Sequence, residues 1–522
     1  MLKLVVSFFA IITFLSSLAF AGDITYPANV DSALVKADSN RVELEKVISH
    51  YRDSGDSLKL QAAYYLIGNM DGHSYMVFGL YDSAKVEYPF DVMAYPNLDT
   101  LQISFDSLAE KHPTLDFGKK ELTEDLQAIT ADFLIKQIDL AFYAWREKPW
   151  AMNMTFSDFC EYVLPYRGSN EPLEDWRQYF LDKYVDLPSK MKDPTDRIEA
   201  TKLINQDVKT YFTFDSRYYY HPTDQGLSEM LRNHLGRCED MTNIAIYAMR
   251  ANGLAVTSDY TPYWANSGNN HAWNSILTAD GKVIPFMGAE AEPGEYHLWN
   301  KLAKVYRKMY SQQPENLIFQ PRKQKKVPAW LAGKSYIDVT TDYVKTSDVT
   351  VNLTEKAPDS VDIAYLCVFN DGAWRPIQWG RINGKQVTFS TMGRDIAYLP
   401  VYFVKEDSIT PAGNPFILHE SGEIYEFPMG ACEAKVPISL ISTTARADAP
   451  STDGIMKSSL ESGKTYELFF WEDGWISAGT AEATNEPLTF EVPPNTIYWL
   501  VKKDSDHEER IFTYDDGKQI WW

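Results

Sequence analysis

A chain of 522 residues is too long for one hydrophobic core, since single cores stop growing at about 250–300 residues, and three or four domains are expected. Hydrophobic residues at 45% and charged residues at 23% match an ordinary globular composition and exclude a disordered or low-complexity chain. The formal net charge of −22 repels phosphate backbones, and no basic face with interleaved aromatics offsets it, which argues against nucleic acid as a partner.

The first 21 residues carry Lys3, an apolar run from Leu4 to Leu18, and Ala19-Phe20-Ala21 ahead of Gly22. A basic start, an apolar middle and a small-x-small end predict a signal peptide over residues 1–21, hence a secreted or periplasmic protein. An uncleaved anchor is disfavoured because the apolar stretch is short and Ser16-Ser17 interrupt it. No later segment is long enough to span a membrane, so no transmembrane span is expected.

Residues 22–195 read as a mainly helical N-terminal domain. Asn40 followed by Glu43 has the spacing of a capping box, and Leu44, Val47, Ile48 and Tyr51 then share one helical face. A longer helix is predicted from Glu121 to Glu147, stopped by Pro149, with further helices over Phe156–Leu164 and Leu173–Tyr184.

Residues 196–320 alternate between helix and strand signals. A helix over Asp196–Lys209 leads into Tyr211-Phe212-Thr213-Phe214 and Tyr218-Tyr219-Tyr220, aromatics suited to a core or to a substrate groove. A short helix starting near Ser228 ends at His234, which reads as a structural residue. The basic stretch from Lys301 to Lys326 reads as a solvated helix face running into a linker at 321–330, in preference to an anion-binding patch.

Beyond the linker, strand patterns and Gly, Asp and Asn turns predominate. Tyr365, Phe369, Asp371-Gly372, Trp374, Phe389 and Tyr398 recur as Tyr466, Phe470, Asp473-Gly474, Trp475, Phe490 and Tyr498, an offset of about one hundred residues. Two tandem β-sandwich domains are expected, at 331–430 and 431–522. Trp374 and Trp475 read as core anchors, while stacking of such rings on sugars leaves glycan binding open.

Four cysteines in a chain of this size do not make a disulfide framework. Cys160, Cys367 and Cys432 sit among apolar residues and read as inert. Cys238 instead opens a helix whose stripe is Met241, Ile244, Ala245, Ala248 and Met249 and whose end is Asn252-Gly253. Free backbone N–H groups in that first turn favour a thiolate. A strand over Leu254–Tyr260 precedes one starting at His271, which turns at Ala279-Asp280-Gly281 into Lys282–Phe286. A thiolate and an imidazole in reach of each other can attack a carbonyl and protonate a leaving amine.

The ordered set Gly236-Arg237-Cys238, Arg250–Gly253 and His271-Ala272-Trp273 resembles the transglutaminase-like superfamily over about 100 of the 522 residues. Gly-Arg-Cys with Asp240 and Asn243 following is also similar to the peptide N-glycanase branch. The resemblance implies an α+β, papain-like core with a Cys-His-Asp triad and no cofactor, and no metal is expected because the nine histidines are scattered and none pairs with a cysteine at zinc-like spacing. Its acid would fall at position 287, where this chain has Met287. Glu290 is the replacement predicted here, with Glu292, a Cys-His dyad or a lost activity as the alternatives. The expected function is therefore an exported cysteine amide hydrolase, a peptidase or glycoprotein amidase, with Cys238, His271 and Glu290 as catalytic residues. The competing expectation is a non-catalytic protein that binds glycans or proteins on the same scaffold.

Overall fold

A computed structural model of the protein describes residues 25–112, 114–405, 408–428, 434–445, 459–505 and 508–522. The signal-peptide segment and Cys432 lie outside them. Among the described residues, no helix is long and apolar enough to cross a membrane.

Helices Ala28–Lys36, Arg41–Ser54, Ser57–Asn69 and Ala131–Glu147 share one apolar core. Leu44, Val47, Ile48 and Tyr51 are its buried face of the second helix, as their spacing predicts. The Asn40–Glu43 capping box does not form. Asn40 donates instead to the carbonyls of Leu126 and Ile129, and Glu43 accepts the Ala131 amide at 2.8 Å, so both residues fix the start of the Ala131 helix. The predicted helix from Glu121 is corrected as well. Asp116–Glu124 is a strand, paired antiparallel with Ser74–Tyr81, and the long helix begins only after the Thr130 side chain caps it. Pairing with the β-branched and aromatic residues of Ser74–Tyr81 overrides the local helical spacing.

The central unit is a five-stranded antiparallel sheet in the order Tyr336–Asp338, Tyr306–Lys308, Val256–Thr261, His271–Leu277, Val283–Phe286. Helix Cys238–Ala251 lies on it, against helices Trp176–Lys183 and Arg197–Val208. It is buried on nearly every side, not along a single stripe, because neighbours cover it all round. Gly253 ends it at φ +74°, where a Cβ would stand 2.9 Å from the Ala144 carbonyl oxygen, so the position demands glycine.

Strand Tyr336–Asp338 joins this sheet from beyond the expected linker, so the core draws on residues past 320. The basic stretch is likewise not a solvated helix. Lys304 is fully buried against Asp338 and the carbonyls of Ser390 and Thr391, and Arg307 forks onto Asp259 at 2.8 and 2.7 Å.

The C-terminal half is antiparallel β structure whose pairing repeats. Thr346–Asn352 pairs with Gln386–Gly393 as Val436–Leu440 pairs with Leu488–Val492. Ile363–Asn370 lies between Ala373–Asn383 and Ile396–Lys405 as Thr465–Trp471 lies between Trp475–Glu482 and Tyr498–Lys502. Tyr398 donates to the Gly393 carbonyl at 2.7 Å, and its counterpart Tyr498 to the Pro493 carbonyl at 2.5 Å, the same five-residue step back. The repeated Trp374 and Trp475 pack with Phe369, Trp471 and Trp499 across the two units.

Candidate active site

The local sequence builds the start of the cysteine helix tightly. The Asp240 carboxylate accepts the amides of Arg237 and Gln225, both at 2.9 Å, and full burial pushes its pKa up to about 6. A Cβ at Gly236 would stand 2.5 Å from the Asp240 Cβ and 2.8 Å from Phe212 Cζ, which explains the glycine two positions before the cysteine. Arg237 is held by Asp224 at 2.9 Å and by the His221 carbonyl.

Cys238 is only 3% exposed. Its thiol donates to Glu239 Oε2 at 3.0 Å, and the Ala272 amide, next to His271 in the chain, points at the sulfur. Burial, then the Glu239 charge, raises the thiol pKa well above its ordinary value, against weaker opposing pulls from the Ala272 N–H and Arg237. The resting sulfur is a protonated thiol. The thiolate expected from the helix start is overturned, because desolvation and an adjacent carboxylate outweigh the helix-end amides.

His271 sits at the start of its strand with Nε2 against the Tyr296 hydroxyl at 2.5 Å. Trp264 stacks on the ring at 5.6 Å and Trp273 flanks it at 5.8 Å. Burial pushes the imidazole down to about 4, opposed by the Glu239 charge, so it is neutral near pH 7. Nε2 is engaged by Tyr296, and no hydrogen bond joins the ring to the Cys238 thiol, which is given to Glu239. The loop before His271 is tied to the β units. Asn370 Nδ2 donates to the carbonyls of Trp264, Ser267 and Asn269, Asp371 accepts the Asn269 amide, and Arg510 donates to the Ala265 carbonyl.

Neither predicted glutamate reaches the ring. Glu290 is exposed on the turn closed by the Met287–Ala291 bridge and acts only as a charge that raises Tyr296. Glu292 faces helix Arg197–Val208, near Asn205 and Lys209. The ladder ends with Asn274 opposite Phe286, and Met287, the next residue, turns away to bridge with Ala291. Met287 is 1% exposed and packs into the apolar core.

Two residues beside the site escaped the sequence reading. Glu239 was within the motif but stood next to a better-placed acid at Asp240. Tyr296 lies in a stretch without any motif, and its placement has no local signal. The aromatic run divides: Phe212 and Tyr218 are core, whereas Tyr219 is half-exposed and lies close to Cys238 and Glu239. Of the remaining cysteines described, Cys160 and Cys367 are buried and unbridged. His234 caps the helix Leu227–Asn233 at φ 59°. Among the described residues, no group of three or more His, Cys, Asp or Glu is arranged to hold a metal.

A central helix with a cysteine in its first turn, lying on an antiparallel sheet that carries a histidine, defines a domain of the transglutaminase-like class. Residues 186–287 match the family model of the transglutaminase-like superfamily and form such a domain, a cysteine-based catalytic fold found often in hydrolases and acyltransferases. No curated protein matches the chain.

Proposed function

We propose that the protein is a cysteine amide hydrolase, a peptidase or glycoprotein amidase, with Cys238 as nucleophile and His271 as proton carrier. The observations that support this reading are that Glu239 accepts from the Cys238 thiol while its charge also acts on His271, and that the amide of Ala272, next to His271, points at the sulfur. The thiol and the imidazole are both neutral at rest, so the sulfur is activated during the reaction and not before it. The thiol proton moves to the His271 ring as the sulfur bonds to the amide carbonyl carbon. The C–N bond then breaks and the imidazolium returns its proton to the departing amine. Water, deprotonated by His271, cleaves the thioester and restores the thiol. Tyr296 takes the position of the group that orients the ring, in place of an acid at 287. Glu239 holds the thiol hydrogen until substrate arrives, and Glu290 tunes Tyr296 from outside.

Turnover of fluorogenic peptide amides and of N-glycopeptides tests this reading. Cys238→Ala is expected to abolish hydrolysis of whichever substrate is cleaved, and full retention would remove the nucleophile assignment. Met287 at the acid position favours a second reading, a binding protein on the same scaffold. An iodoacetamide-inert Cys238, together with glycan-array binding by the intact protein, would support that reading instead.

A further inference from the structure

Away from Cys238, a cavity of about 180 Å³ opens where the helical region, the core sheet and residues 333–336 meet. No Asp or Glu lines it, in a chain with 72 acidic and 50 basic residues. Its walls carry Arg167, Arg250, Lys308 and Lys334. Arg167 is neutralised by Asp125. Arg250, 4% exposed, donates among the described residues to the carbonyls of Val256 and Arg167, and burial draws its pKa down to about 10. Lys308 donates to the Ser169 hydroxyl at 2.6 Å, lies 5.9 Å over the Tyr260 ring and feels the charge of Asp224, and Lys334 shares the Asp71 carboxylate with Lys36. The acids behind the wall give their hydrogen-bonding oxygens to backbone amides, Glu171 to Gly168 and Ser169 and Glu161 to Tyr310 and Ser311, while their charges still act on Arg250.

Two phenols complete the lining. Tyr260 and Tyr336, 7% and 6% exposed, lie close together, and neither hydroxyl finds a hydrogen-bond partner among the described residues. Neither hydroxyl oxygen is sealed from the cavity space, so the pair stands open beside the cations of the wall as donors for acceptor oxygens.

We propose that this cavity binds the oxyanion head of a small molecule, a phosphate or a carboxylate, between Lys308, Lys334, Arg250 and the Tyr260 and Tyr336 hydroxyls. The site is separate from Cys238 and stands whether or not the protein hydrolyses amides. An anion there joins three parts of the fold, so binding raises the melting temperature.

Calorimetric titration and thermal melts of the full-length protein, with sodium phosphate or sodium acetate at ionic strength matched by sodium chloride, test the proposal. Saturable binding of one of them is expected, with affinity lowered at least tenfold in Lys308→Gln and several-fold in the milder Tyr336→Phe, and unchanged in Cys238→Ala. Phosphate alone binding assigns a phosphate head, and acetate alone a carboxylate head. No binding of either at 10 mM, a concentration about tenfold above a 1 mM dissociation constant, overturns the site. Equal binding by wild type, Lys308→Gln and Tyr336→Phe overturns it as well.

Discussion

The thiol of Cys238 donates to the carboxylate of its chain neighbour Glu239 across 3.0 Å. That contact and the burial around it keep the sulfur protonated, so a cysteine at a helix start is held in its less reactive form. Glu239→Gln removes a negative charge from beside the sulfur. The midpoint of the pH profile for iodoacetamide alkylation should fall by at least about one unit. An unchanged midpoint would mean that burial alone sets the thiol.

Tyr296 is the hydrogen-bond partner of His271 Nε2. Tyr296→Phe deletes one hydrogen bond, a loss of about 1 kcal/mol, and is expected to lower kcat severalfold to tenfold. KM should hold, because the hydroxyl acts through the ring. A change confined to KM would place Tyr296 in substrate binding instead.

His271 gives the fold a pH dependence of definite sign. An unfolded histidine titrates near about 6.5, whereas the folded ring is pushed down to about 4. Above both values the ring is neutral in both states and the stability is intact. As pH falls through that window only the unfolded chain takes the proton, so stability is lost, by up to about 3 kcal/mol. Buried His73, also shifted down, works in the same direction. Urea midpoints at pH 7.5 and 4.5 should differ less in His271→Gln than in the wild type.

Asp259 is fully buried beneath the histidine strand and accepts from Arg307, from Ser275 at 2.7 Å and from Tyr343 at 2.6 Å. Asp259→Asn leaves the Arg307 charge buried without its partner, and a loss of about 3–5 kcal/mol is expected in urea unfolding. A loss below about 1 kcal/mol would show that water or Asp342 takes over the guanidinium.

Asn370, in the first β unit, holds the loop that carries Trp264 onto the His271 ring. Asn370→Ala should speed amide hydrogen exchange across residues 262–270 and reduce turnover, while leaving exchange in helix Cys238–Ala251 unchanged. Unaltered exchange in the loop would assign its order to Arg510 and Asp371.

Local chemistry decided much of this protein before any folding was considered. Asp196 as a cap, Gly253 as a stop and Asp280-Gly281 as a turn set the elements around Cys238 and His271, because each depends on neighbours within a few residues. The β repeat was legible for the same reason, as aromatic residues recur at matching strand positions. Tertiary structure decided what the pattern could not carry. It made a strand of Asp116–Glu124, spent Asn40 and Glu43 on a different helix and buried Lys304 in the core. It also brought Tyr296, and not Glu290, to the His271 ring. The state of the Cys238 thiol belongs to this second group, because burial and the field of surrounding charges are sums over residues distant in the chain, and the helix start that favours a thiolate is only one contribution to them.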